Sequence, residues 1–200
     1  MTKTYDRAYF DKWYRDPRHA VASPAEVARK VALAVAVAEY YLGRRIRNVL
    51  DVGCGEAHWR APLLKLRPDV RYRGLDASEY VVTRFGRTRN IGLVRFSALE
   101  HLRFDAPFDL ILCTNVLHYI GVAEVRRGLA GFDELLAGAA FIEVFTRRDD
   151  TEGDDDDYIA RSPAWYLRLF RDAGLTPVGS HAYVGTRLGP QLLALESPFA

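Results

Sequence analysis

Nine residues limit the architecture more than any others. Val49-Leu50-Asp51-Val52 is an apolar run of strand length, and Gly53-Cys54-Gly55-Glu56-Ala57 follows at once with two glycines spaced for a tight turn into a helix. Asp76 ends the next strand-like run, twenty-five residues after Asp51. In an open parallel sheet, a ligand carrying a nucleoside lies across the carboxyl ends of the strands. Small turn residues let the backbone approach it, and an acidic group on the second strand accepts from both ribose hydroxyls. Either signal alone is weak, because glycines also simply let strands turn; the pair points to a nucleoside site.

The rest of the chain keeps the same alternation. Apolar runs at Tyr72–Leu75, Leu93–Phe96, Leu110–Thr114 and Ala140–Phe145 read as strands after Asn48–Val52, with two more at Val178–Tyr183 and Leu192–Glu196. Helical spacing fills the gaps at His58–Leu66, Glu79–Arg87, Val122–Leu136 and Pro163–Asp172, the last with Ser162 as cap and Gly174 as stop. Ser23 and Pro24 open an earlier helix that Gly43 closes, from Pro24 to about Leu42. Strands alternating with helices form a mostly parallel sheet covered on both faces. The expected fold is α/β, a doubly wound, mostly parallel seven-stranded sheet with an antiparallel edge hairpin. That hairpin is assigned to the last two runs, which a loop with Gly185, Gly189 and Pro190 connects. Before the sheet, Tyr5, Tyr9, Phe10, Trp13 and Tyr14 recur at helical spacing among charged residues and form an aromatic-faced helix. One domain is expected over residues 1–200, with 1–45 a helical cap or lid and 46–200 the α/β core.

Composition excludes several classes. Lys3, Lys12, Lys30 and Lys65 are the only lysines, so arginine carries the positive charge, yet the formal net charge of +2 leaves no broad footprint for nucleic acid. Two cysteines, Cys54 and Cys113, make neither a disulfide framework nor a metal cluster, which fits a reducing cytoplasm. Residues 1–20 are charged and aromatic, unlike a signal peptide, and no apolar run is long enough to span a bilayer. A cytoplasmic location without membrane attachment is expected; the oligomeric state is left open.

In motif order, residues 46–196 resemble the class I S-adenosylmethionine-dependent methyltransferases, a Rossmann-like family. Asp51-Val52-Gly53-Cys54-Gly55 matches the family's first motif. The resemblance implies that Gly53, Cys54 and Gly55 border the methionine part of the cofactor with Asp51 near its amino group. Asp76 would take the ribose hydroxyls, and Ala77 and Ser78 would border adenine. Ser97-Ala98-Leu99 is similar to the adenine-edge motif, and the run from Phe108 to Tyr119 to the fourth motif, which places Cys113, through its carbonyl, and Asn115 beside the cofactor. Ala57 stands where the family commonly has a third glycine, and Ser97 where it commonly has aspartate.

The implied reaction is methyl transfer from S-adenosylmethionine to a small-molecule oxygen or nitrogen acceptor, leaving S-adenosylhomocysteine. In-line displacement from a sulfonium needs alignment and exclusion of water, so no metal and no covalent nucleophile is expected. His118 is the candidate base, against a purely structural role. Cys54 has no histidine partner and reads as a packed thiol. Tyr5, Tyr9, Trp13, Tyr14, Trp59, His118 and Tyr119 are the candidate acceptor contacts; the aromatic stripe reads either as core or as a lid. The run Asp149, Asp150, Glu152, Asp154, Asp155, Asp156 and Asp157 reads as a solvated loop or as a device selecting a cationic amine, whereas Arg147, Arg148, Arg161 and Tyr158 would instead address an acidic acceptor. RNA or protein methylation and non-catalytic cofactor binding are the alternatives. A nicotinamide dehydrogenase needs a glycine spacing that Gly53-Cys54-Gly55-Glu56-Ala57-His58 does not complete.

Overall fold

Alternation along the strands decides which way each side chain faces. In β1 (Asn48–Val52), β4 (Phe108–Thr114) and β5 (Leu136–Glu143), Val49, Leu110, Leu112, Ala139 and Phe141 enter one buried layer. Their neighbours Leu50, Val52, Ile111, Cys113, Ala140 and Ile142 enter the other. Both faces are covered, which is why these strands read as continuous apolar runs. The computed structural model describes residues 4–16, 18–19, 23–149, 154 and 157–193.

With β2 (Arg71–Asp76), β3 (Ile91–Leu93), β6 (Thr176–Gly179) and β7 (Ala182–Val184), the sheet has seven strands in the order β3-β2-β1-β4-β5-β7-β6. The first five pair in parallel and β7 and β6 run antiparallel at the edge. The order reverses between β1 and β4, so their carboxyl ends open the crevice where open α/β sheets hold ligands.

The first face is covered by α2 (Pro24–Leu42), which buries Val31, Ala34, Val35 and Ala38 at helical spacing, and by α3 (Arg60–Leu66), which adds Leu63. The second face is covered by α5 (Val122–Ala130), α6 (Phe132–Leu135) and α7 (Pro163–Asp172), through Leu129, Phe132, Tyr166 and Phe170. Burying side chains of this size stabilises by roughly 1.5–3 kcal/mol each. The capping serines do what their positions promise: Ser23 accepts from Glu26 N–H and Ser162 from Trp165 N–H, while Ser78 caps α4 (Glu79–Arg89) through Val81 N–H. Among the described residues no helix is long and apolar enough to cross a membrane.

Four elements differ from their sequence expectation. The third strand ends at Leu93 instead of starting there, because Phe96 and Leu99, three apart, bury along a 3-10 turn over Phe96–His101. The helix expected over Val122–Leu136 breaks at Gly131 and re-forms so that Phe132 and Leu135 both bury. Val178–Tyr183 is not one strand. Ser180 and His181 both take left-handed φ values, 43° and 64°, and fold the segment into the β6–β7 hairpin. The edge hairpin therefore exists, but Leu192 falls in a 3-10 helix over Thr186–Leu193, and residues 194–196 lie outside the described residues. At the front, the aromatic segment forms α1 (Arg7–Phe10), capped by Asp6, and continues as a wider π-helical turn over Asp11–Arg15.

Arg161 ties the segment after β4 to the second layer. Buried at 7% exposure, it donates to the carbonyls of Leu117 at 2.9 Å and Ile120 at 2.6 Å, with its guanidinium over the Trp165 ring. These carbonyls bracket His118. Arg161→Leu should cost about 3 kcal/mol in urea unfolding, since two charge-assisted bonds to backbone carbonyls are lost; an unchanged midpoint would contradict this role.

Candidate functional site

The turn after β1 is fastened to the end of β2. Gly53 N–H and Cys54 N–H donate to the Leu75 carbonyl at 2.8 and 3.1 Å. Gly55 N–H donates to one oxygen of Asp76 at 2.7 Å, and Ser78 N–H to the other at 2.8 Å. The turn needs left-handed backbone: φ is 67° at Gly53 and 51° at Gly55. A Cβ at Gly53 would stand 2.3 Å from Val116 Cγ2, and one at Gly55 2.7 Å from the Tyr14 hydroxyl. Ala57 is left-handed too, at 57°, a conformation that costs an alanine about 1–2 kcal/mol. The backbone shape is thus kept where the family commonly has glycine.

Asp51 and Asp76 are both buried. Burial pushes the Asp51 carboxyl up to about 7, against the hydrogen bond it accepts from the Tyr72 hydroxyl at 2.7 Å, and the nearby Asp76 adds to the rise. Asp76 is also raised by burial, which outweighs its backbone donors Ser78, Gly55 and Ala77. Cys54 and Cys113 are raised by burial first and by Asp51 next, so both stay thiols and neither is a nucleophile at neutral pH.

A cavity of about 520 Å³ opens from this turn along the carboxyl ends of the strands. Asp51, Gly53, Cys54, Gly55, Asp76 and Ala77 line one side of it, with Ser97, Leu99 and Asn115 also on its wall. The other side is aromatic: Tyr5, Tyr9, Trp13, Tyr14, Trp59 and Tyr119 all face it, as does His118. Three expected residues are not on its wall. Ser78 uses its hydroxyl to cap α4 and to donate to the Tyr5 carbonyl at 2.6 Å, Ala98 lies on the 3-10 turn, and the side chain of Cys113 packs in the second layer.

The aromatic roof is pinned at several points. Phe10 stacks on Tyr80 with centroids 5.7 Å apart, Tyr14 lies against His58, and Arg15 pairs with the buried Glu56 just past the turn. Tyr9 donates to the Asp154 carboxylate, and the Tyr119 hydroxyl donates to the Asp154 carbonyl at 3.0 Å. Burial, then Asp154 and Asp76, push Tyr5 up to about 12; burial, then Tyr14 and Asp154, raise Tyr9 further. Both therefore remain phenols. Of the acidic run, Asp149 accepts from Thr146 and Asp154 faces the cavity, while Asp150, Glu152, Asp155 and Asp156 lie outside the described residues.

His118 is fully buried apart from its contact with the cavity, and its Nδ1 accepts from Phe145 N–H at 3.2 Å. A neutral imidazole that accepts at Nδ1 carries its hydrogen on Nε2. Phe145 and Tyr158, which also line the cavity, were not among the expected acceptor contacts; only the tertiary fold brings them beside His118, at centroid distances of 5.2 and 5.8 Å. Arg161, a possible handle for an acidic acceptor by sequence, spends its donors on the two carbonyls beneath. Among the described residues no group of three or more His, Cys, Asp or Glu could hold a metal.

The chain matches known proteins mainly through fold. Residues 50–142 match a family model described as a methyltransferase domain. No curated protein matches by sequence. Among solved structures, a 1,6-didemethyltoxoflavin-N1-methyltransferase of Burkholderia thailandensis, bound to 1,6-didemethyltoxoflavin and S-adenosylhomocysteine, is 25% identical over 87% of this chain and 78% of that one, with a TM-score of 0.60. A sugar N-methyltransferase from a Streptoalloteichus species is 17% identical over 92% of this chain and 94% of that one, at 0.62. A plantazolicin methyltransferase, in complex with a triazolic desmethylPZN analogue and S-adenosylhomocysteine, is 12% identical over 76% of this chain, which spans only 65% of that enzyme, at 0.60.

The cavity suits S-adenosylmethionine. Its glycine turn is packed too closely against Val116 and Tyr14 for a side chain at Gly53 or Gly55, two carboxylates line the same wall, and the buried Asn115 Oδ1 has no hydrogen-bond partner among the described residues. These acceptors answer the ammonium, hydroxyl and amino hydrogens of that molecule. In strand order and in its matched domain the chain has the fold of the class I S-adenosylmethionine-dependent methyltransferases.

Proposed function

We propose that the chain methylates a small molecule held under the aromatic roof. The observation that carries this reading is the cavity that the carboxylate-lined turn and the tyrosine-lined roof share. Named small acceptors in the similar structures, a toxoflavin precursor and a sugar, support it over an RNA or protein substrate.

When bound, S-adenosylmethionine supplies a methyl group on a sulfonium centre. Gly53, Cys54 and Gly55 admit its methionine part, with Asp51 receiving the ammonium. Asp76 receives the ribose hydroxyls while its donors from Gly55 and Ser78 hold it in place. Ala77, Ser97, Leu99 and Asn115 border the remaining face of the cavity. The roof from Tyr5 to Tyr14, with Trp59 and Tyr119, excludes water and orients the acceptor, which is where most of the rate enhancement of a displacement arises.

Incubation with methyl-deuterated S-adenosylmethionine and fractionated cell extract should place label in a small-metabolite product; label confined to RNA or protein would overturn the small-molecule reading. Asp76→Asn should weaken S-adenosylhomocysteine binding in calorimetry by about 10- to 100-fold, the worth of charged hydrogen bonds, and undiminished affinity would remove Asp76 from the site.

Asp51 gives a pH test. Its folded-state carboxyl is raised from 3.8 to about 7, so its contribution to stability is present below about 4 and is lost as pH rises to about 7. Asp51→Asn should therefore raise the melting temperature of the ligand-free protein more at pH 8 than at pH 4, while weakening cofactor binding. Equal shifts at both pH values would show that Asp51 is not a strained buried charge.

A further inference from the structure

The roof side of the cavity has a definite chemical character. The Asp154 carboxylate is held by the Tyr9 hydroxyl, and its backbone by Tyr119, so a negative charge is fixed among tyrosine rings instead of waving in solvent. Tyr5 and Tyr9 meet edge to face with centroids 5.0 Å apart, and both feel that charge. Among the described lining residues the one guanidinium is Arg95, which follows β3, three strands away from β4 in the sheet order. A fixed carboxylate beside electron-rich ring faces is the arrangement that receives a cation.

Among the described residues the same wall offers no base strong enough for an alcohol. His118 accepts from Phe145 N–H through Nδ1, so its Nε2 carries hydrogen and offers no lone pair to take a proton. Tyr5 and Tyr9 stay protonated, and a carboxylate is far too weak to deprotonate a hydroxyl. An alkylamine needs no such base, since its ammonium loses a proton at about 10.

We infer that the acceptor is an amine, received between the Asp154 carboxylate and the rings of Tyr5, Tyr9 and Tyr119. This inference rests on the methyltransferase reading above. The amine enters the reaction neutral, after its ammonium has given a proton to solvent. Its nitrogen lone pair forms the new nitrogen–carbon bond as the carbon–sulfur bond breaks, the electron pair of that bond stays on sulfur, and the positive charge passes to nitrogen. The proton then lost from nitrogen goes to Asp154 or to water.

The test uses protein loaded with S-adenosylhomocysteine and two matched probe pairs, cyclohexylamine with cyclohexanol and 2-phenylethylamine with 2-phenylethanol, titrated by NMR. Each amine should bind at least tenfold more tightly than its alcohol. D154N should abolish that preference and leave S-adenosylhomocysteine affinity unchanged. Alcohols binding as well as amines, no amine binding at all, or a preference that survives in D154N would each overturn the inference. Should D154N lose S-adenosylhomocysteine, the wild-type preference alone decides. A wild-type protein that fails to bind S-adenosylhomocysteine would sink the methyltransferase reading first, and this inference with it; loss of amine preference alone leaves that reading standing.

Discussion

The Asp76 carboxylate organises the cofactor side of this molecule. It stands at the end of β2 with one oxygen on Gly55 N–H and the other on Ser78 N–H, so a single side chain fixes the glycine turn after β1 and the entry to α4 at once. Burying a carboxylate is costly unless hydrogen bonds compensate, and the backbone donors offset part of that cost while the group remains raised. What remains is an acceptor aimed at a cavity, with Asp51 beside it in the same condition. Two carboxylates only partly relieved by hydrogen bonds are a poor choice for stability alone and a good one for a ligand bearing an ammonium and two hydroxyls.

The aromatic side of the cavity is built differently. Its parts come from the N-terminal segment, from the turn after β4 and from the loop after β5, which meet only in the folded chain. Arg161 sets the middle of these by holding the carbonyls on either side of His118, and Phe145 N–H fixes the ring's hydrogen-bonding sense. Local charges and rings, more than any reactive group, define what this half can hold.

The contrast accounts for what was readable in the sequence. The turn from Asp51 to Ala57, the helices from Pro24 to Leu42 and Pro163 to Asp172, and the strand-end position of Asp76 were legible because each rests on local chemistry: a glycine, a capping serine, an apolar run. The hairpin turn at Ser180 and His181 was not, since neither residue advertises left-handed backbone. The π-helical continuation at Asp11–Arg15 left no local trace either. On the site, Asp154 was visible only as one of a run of acids, and nothing near it in sequence signals Tyr9 or Tyr119 as its partners. The Nδ1 bond of His118 comes from a backbone amide twenty-seven residues away, so sequence spacing could not show which ring nitrogen carries the hydrogen.

If the turn fastened to Asp76 and the aromatic segment above it together receive S-adenosylhomocysteine, both will be shielded when it binds. Hydrogen–deuterium exchange with and without S-adenosylhomocysteine tests this most directly. New protection is expected at residues 53–57, 76–78, 97–99 and 115 and over the segment from Tyr5 to Tyr14. Protection that spares the turn and appears instead at the opposite ends of the strands, around Arg44 and Arg67, would contradict it.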